Sequence, residues 1–86
     1  MIKVAKFGGS SLSNGEQFAK VKNIIDRDPD RRMVVVSAPG RRSADDNKVT
    51  DLLYLVKAHI KYDVSYDSIF EIIEQRYMDI RSECHL

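Results

Sequence analysis

Ile2-Lys3-Val4-Ala5-Lys6-Phe7, running directly into Gly8-Gly9-Ser10-Ser11, is the stretch on which the fold turns. Its first six residues are rich in β-formers and read as a strand, which the glycine pair stops. Next comes Ser13-Asn14-Gly15-Glu16, with the hydroxyl-to-carboxylate spacing of a capping box. Phe18, Val21, Ile24 and Ile25 then recur at helical spacing, and Asp28-Pro29 stops that helix. Met33-Val34-Val35-Val36, inside Arg32 to Ser37, is an apolar, β-branched run suited to a strand covered on both faces. Strand, helix, strand is a βαβ unit, so the two strands are expected to lie parallel.

Beyond Pro39-Gly40 a polar loop reaches Lys48 and carries Arg41, Arg42, Asp45 and Asp46. Val49, Leu52, Leu53, Val56 and Ile60 predict an amphipathic helix, with Thr50 as a candidate cap. Ser65 or Asp67 is positioned to cap a third helix, whose stripe is Ile69, Ile73, Tyr77, Ile80 and Cys84. Three amphipathic helices present more apolar surface than two strands can cover. The third helix also runs to the end without a Gly or Asn stop. The expected class is therefore α/β, with residues 1–86 forming one N-terminal part of a larger, incomplete domain and no second domain.

Composition excludes several function classes. Fourteen basic and 13 acidic residues leave a net charge of +1, so no basic excess points to nucleic acid. No window approaches the roughly 18 apolar residues that span a membrane. The opening apolar run is broken by Lys3, Lys6 and the glycines, which is too short for a signal peptide. Cys84 is the only cysteine, which excludes an intrachain disulfide and fits a reducing, cytoplasmic compartment.

The chemistry-bearing residues cluster in two loops, each following a strand. In an open α/β sheet, ligands gather at the carboxyl ends of parallel strands. In the first loop, Gly8 and Gly9 allow close backbone approach to a phosphate, and Lys6 can bring a full charge to the same place. The spacing is neither a Walker A motif nor a dinucleotide-binding G-x-G-x-x-G. By itself it fits a phosphate cradle and an ordinary tight turn with a solvated Lys6 equally well. In the second loop, Ser37 and Thr50 are placed to offer hydroxyls to a substrate, although capping alone also accounts for Thr50.

Three stretches carry a family resemblance: Lys6-Phe7-Gly8-Gly9-Ser10-Ser11, Val34-Val35-Val36-Ser37-Ala38-Pro39-Gly40 and Lys48-Val49-Thr50-Asp51-Leu52-Leu53. Together, and in this order, they closely resemble the N-terminus of the aspartokinases, within the amino-acid kinase family. The Phe between Lys and the glycine pair separates aspartokinases from acetylglutamate, glutamate-5-, carbamate and UMP kinases. The resemblance implies a partial three-layer α/β/α sandwich with a parallel sheet. It implies ATP-dependent phosphorylation of L-aspartate to 4-phospho-L-aspartate, the first step of lysine, threonine and methionine biosynthesis. ATP would arrive with Mg²⁺, the chain itself supplying no metal ligand, and the parent enzyme would be a homo-oligomer. Lys6 would contact the transferred phosphate as the catalytic cation. Phe7, Gly8, Gly9 and Ser10 would complete the ATP-phosphate loop, with Ser37 and Thr50 on the aspartate side. The family's acidic substrate residue and nucleotide-base pocket lie beyond Leu86, so the isolated chain is expected to be inactive. Two alternatives are a non-catalytic module that binds a phosphate-bearing ligand or pairs with a partner's sheet, and a fragment of another amino-acid kinase.

The remaining polar residues read as structural. His59 and His85 are surface histidines, Cys84 a small residue in phase with its helix stripe, and the charged residues from Arg41 to Asp46 a solvated loop. A mobile lid is the functional alternative for that loop.

Overall fold

The computed structural model describes all residues from Met1 to Leu86. Strand β1 (Lys3–Phe7) leads through a 3-10 turn (Gly9–Leu12) into helix α1 (Gly15–Asp26). Strand β2 (Arg31–Val36) follows, and then helices α2 (Val49–Lys61) and α3 (Asp67–Glu83). The strands form a two-stranded parallel sheet in which Ala5 lies opposite Val34, Lys6 opposite Val35 and Phe7 opposite Val36.

Two small cores result. Phe7 and Ala5, one face of β1 by strand alternation, pack with Leu12 of the 3-10 turn and with Phe18, Val21 and Ile25, the apolar face of α1. Val49 and Leu52 of α2 meet Ile69 and Ile73 of α3, with Val56 and Ala38 at the margin. Ala38, just past the end of β2, joins this second cluster to the sheet. Helix α3 bridges the two cores, because Glu83 at its far end reaches the start of α1.

Much apolar surface stays open. Met33, Val34, Val35 and Val36 are 59%, 41%, 50% and 61% exposed, so neither face of β2 is covered. The total accessible surface is 6521 Å², against about 5,200 Å² for a folded monomer of this mass. The radius of gyration is 15.4 Å, against about 12 Å for a compact domain of this length. These magnitudes describe a partial α/β unit, as the excess of helix surface over strands implied.

Several local expectations are corrected. Asn14, not Ser13, caps α1: its Oδ1 accepts from the Gln17 amide at 3.0 Å. The 3-10 turn absorbs the preceding residues, and the Ser13 hydroxyl donates instead to the Ser10 carbonyl at 3.2 Å. Helix α2 begins at Val49 rather than Asp51, because the Val49 amide is taken by the Pro39 carbonyl at 3.2 Å. Lys48 becomes the cap residue and Thr50 lies inside the first turn. Neither Ser65 nor Asp67 caps α3; Tyr66 occupies that position.

The end of α3 differs from expectation, and α2 closes in the same way. Asp63 and His85 adopt φ of 54° and 60° and close the two helices as left-handed residues. In α3, Leu86 N–H donates to the Arg81 carbonyl and His85 N–H to that of Ser82, the paired bonds of a Schellman motif. Helix α3 therefore stops at Glu83. Its buried stripe is Ile69, Ile73, Arg76 and Ile80, while Tyr77 is 48% exposed.

Candidate functional site

The site is built where the chain leaves each strand. After Phe7 the backbone turns at Gly8, whose φ of −78° and ψ of 178° are extended and open to any residue. No glycine here has a positive φ, so left-handed backbone is not why glycines stand in the loop. Close approach is the reason at Gly9. A Cβ there would lie 3.0 Å from the Ala38 carbonyl oxygen and 3.2 Å from the Gly40 nitrogen. Gly40 is tighter still, since its Cβ would come within 2.7 Å of the Gly9 carbonyl carbon and 2.9 Å of the Ser10 nitrogen. Gly8 has neither constraint, because nothing lies within 4 Å of a Cβ placed on it.

The turn leaves its amides free. Ser11 N–H donates back to the Gly8 carbonyl at 3.1 Å, but the N–H groups of Gly8, Gly9 and Ser10 make no hydrogen bond within the chain. Three neighbouring, unpaired donors at the carboxyl end of a parallel strand are what an oxyanion requires.

Ser37 and Thr50 arrive from the second loop. The Ser37 amide extends the strand pairing to the Phe7 carbonyl at 3.2 Å, which carries the second loop alongside the first. The Gly40 amide donates to the Gly9 carbonyl at 2.8 Å and locks the two together. A cleft of about 390 Å³ opens between them. Gly9 and Ser10 line one side, Ser37 and Ala38-Pro39-Gly40 the other, and Thr50 the first turn of α2. Arg41 and Lys48 complete the wall, and no carboxylate lines it. The cleft is therefore a cationic, hydroxyl-bearing pocket suited to anions.

Three of the sequence-derived site residues do not line this cleft. Lys6 is exposed on β1, where strand alternation puts it on the sheet face opposite Ala5 and Phe7. The Phe7 ring is spent on the core with Leu12 and Val21, so only its backbone borders the loop. Gly8 sits at the bend itself. Gly9, Ser10, Ser37 and Thr50 all line the one cleft.

Sequence reasoning missed Lys48 as a wall residue and took the charged loop as one solvated stretch. Arg41 faces the cleft. Arg42 turns away, its Nε donating to Asp46 at 2.8 Å and its Nη1 to Asp79 at 3.2 Å. The Arg42 guanidinium, with backbone N–H groups beside it, holds the Asp46 carboxyl well below the usual carboxylate range. The loop is thus pinned rather than freely solvated. His59 bonds the Leu55 carbonyl at 2.8 Å and stays on the surface of its own helix. No group of three His, Cys, Asp or Glu side chains gathers in the chain.

No family model matches the chain. It is 46% identical over 85 residues to Aspartokinase 3 of Bacillus subtilis (strain 168), covering 99% of this chain and 19% of that protein. It is 36% identical over 80 residues to a chloroplastic bifunctional aspartokinase/homoserine dehydrogenase 1 of Zea mays, covering 91% of this chain and 8% of that one. Its fold superposes on crystalline aspartate kinase from Clostridium acetobutylicum with a TM-score of 0.93 at 52% identity. That match covers 96% of this chain and 19% of the crystallised one. In sequence and in fold the chain matches one segment of the aspartate kinases, spanning about a fifth of the bacterial relatives' length. The two-stranded parallel sheet and three helices are a partial α/β fragment of that fold.

Proposed function

We propose, for a chain that matches one segment of the aspartate kinases along nearly all its length, that it supplies the phosphate loop and part of the acceptor site of an aspartate kinase. The reaction is transfer of the γ-phosphoryl group of ATP to the side-chain carboxylate of L-aspartate. A carboxylate oxygen attacks phosphorus, the bond to the bridging oxygen breaks, and ADP leaves with 4-phospho-L-aspartate as product. The observation that carries this reading is the cleft, lined on one side by Gly9 and Ser10, whose amides are unpaired, and elsewhere by Ser37 and by Thr50 of α2.

Each residue then has a role that follows from its chemistry. The N–H groups of Gly8, Gly9 and Ser10 cradle phosphate oxygens, and the open space over Gly8 admits them. Lys6 contributes the mobile cation that offsets charge on the transferred group, since phosphoryl transfer depends mainly on positioning and electrostatics. Ser37 and Thr50 orient the aspartate, and Arg41 and Lys48 keep the cleft attractive to it. Mg²⁺ would enter on the ATP phosphates, because this chain has no carboxylate in the cleft to hold it. The complete enzyme works as a homo-oligomer in the cytoplasm, a reducing setting in which the lone Cys84 stays a thiol. No helix is long and apolar enough to cross a membrane.

By itself the 86-residue chain should turn over little or no substrate, since its β2 faces are bare and it spans only about a fifth of the bacterial relatives' length. The test is ATP-dependent phosphorylation by the complete gene product, with aspartate, acetylglutamate and UMP as competing acceptors. Aspartate should be preferred, and Lys6→Ala should lower kcat by roughly 10²–10³-fold, as loss of a transition-state donor does. Preference for another acceptor, or an unaffected Lys6→Ala enzyme, would overturn the reading.

A further inference from the structure

Arg76 is the only charged side chain buried in the chain, at 2% exposure, and it sits among the isoleucines on the inner face of α3. Burying a guanidinium is costly unless its donors are paired. Its Nη1 donates to the Asn47 carbonyl at 2.7 Å and its Nη2 to the Gly40 carbonyl. Asp46 lies 3.4 Å from Nη1, while Nε has no partner at all. An apolar side chain of similar volume would fill this position with no orphaned donor, so packing alone does not account for an arginine here.

The two carbonyls it holds belong to opposite ends of one loop, the stretch from Gly40 to Asn47 that carries the chain from β2 to α2. Gly40 is gripped from both sides: Arg76 holds its carbonyl, and the Gly9 carbonyl holds its amide. Asp79, one turn along α3, anchors the same loop a second time through Arg42. Helix α3 therefore reaches the cleft through the loop without lining it.

We infer that Arg76 is a positioning residue that sets the separation between the Gly9–Ser10 side of the cleft and the Ser37–Thr50 side. This rests on the kinase reading: the guanidinium holds the acceptor hydroxyls in register with the phosphate loop and touches neither substrate.

The test uses the complete gene product with Arg76→Met, which fills similar space without donors, and Arg76→Lys, which keeps the charge but spans one carbonyl at a time. Hydrogen exchange at the Gly40, Arg42 and Asp46 amides should quicken about tenfold or more in Arg76→Met, with α1 amides unchanged. The KM for aspartate should rise about tenfold with the KM for ATP nearly constant, and Arg76→Lys should recover part of both effects. Unchanged loop exchange, or a fall in kcat with both KM values preserved, overturns the inference. If Arg76→Met does not fold, the same measurements on Arg76→Lys decide it. If the unsubstituted protein does not phosphorylate aspartate, the kinase reading fails, and the exchange comparison still decides whether Arg76 holds the loop.

Discussion

The Gly40 amide donates to the Gly9 carbonyl at 2.8 Å, and at this crossing of two loops neither residue has room for a methyl group. Gly40→Ala puts a Cβ within 3 Å of three backbone atoms of Gly9 and Ser10, which no rotamer change can relieve. The loops must part. Aspartate phosphorylation by the complete gene product should fall about tenfold or more with helix content preserved, as expected of a misplacement near 1 Å. Unaltered kinetics would show that the cleft tolerates a wider gap.

Gly8→Ala separates chemistry from packing. Its Cβ meets nothing and its backbone is ordinary, so the melting temperature should hold or rise slightly, because alanine has less unfolded-state entropy to lose. If phosphate oxygens occupy the space over Gly8, the added methyl raises the KM for ATP about tenfold, equivalent to about 1.4 kcal/mol. An unchanged KM would remove Gly8 from the phosphate loop.

Glu83 and Gly15 tie the end of α3 to the start of α1. The Gly15 amide donates to Glu83 Oε2 at 2.9 Å, placing a carboxylate at the N-terminus of α1. A Cβ on Gly15 would lie 2.2 Å from the Glu83 Cβ. Gly15→Ala should therefore destabilise by about 1–3 kcal/mol through overpacking. Glu83→Gln keeps the shape and loses only the charge, at about 0.3–1 kcal/mol. Denaturant titration should rank the two variants in that order.

Asp63 closes α2 at a φ of 54°, a conformation that penalises any side chain. Asp63→Gly should stabilise by about 0.5–1 kcal/mol, the relief of left-handed strain less the extra entropy of an unfolded glycine. A lower melting temperature would mean that the aspartate side chain compensates for its own backbone.

The Arg42–Asp46 pair sets a pH dependence of definite sign. Its hydrogen bond to Arg42 lowers the Asp46 pKa in the folded protein. The stability it contributes is thus fully present above the ordinary aspartate value of about 3.9 and is lost as pH falls through the lowered folded value. An NMR titration of the Asp46 carboxyl carbon should show its inflection below the ordinary value, and Asp46→Asn should flatten the acid limb of stability. An inflection at or above the ordinary value would mean that the pair is open in solution.

Much of the architecture was legible because it is written locally. The β-formers of Ile2–Phe7, the β-branched run at Met33–Val36 and the helical spacing of Val49, Leu52 and Val56 each declare an element within a few residues. The first loop was legible for the same reason, since Gly9 and Ser10 follow a strand directly. Helix boundaries were less so: Ser13 and Asn14 are both good caps, and only the intervening 3-10 turn selects Asn14. His85 and Asp63 stand where glycine usually signals a helix end, so neither stop was visible.

The sequence by itself determined the order of elements, the parallel βαβ start and the residue types available at each strand end, because propensity and periodicity act over short separations. Only the tertiary structure decided that Gly9 must be small because Gly40 crosses it, that the Phe7 ring belongs to the core, and that Arg76 rather than Tyr77 turns inward. Those outcomes depend on carbonyls and amides meeting across long stretches of chain, as when Arg76 reaches Gly40 over 36 residues. Such contacts arise from the packing of whole elements, and no spacing within any one of them records it.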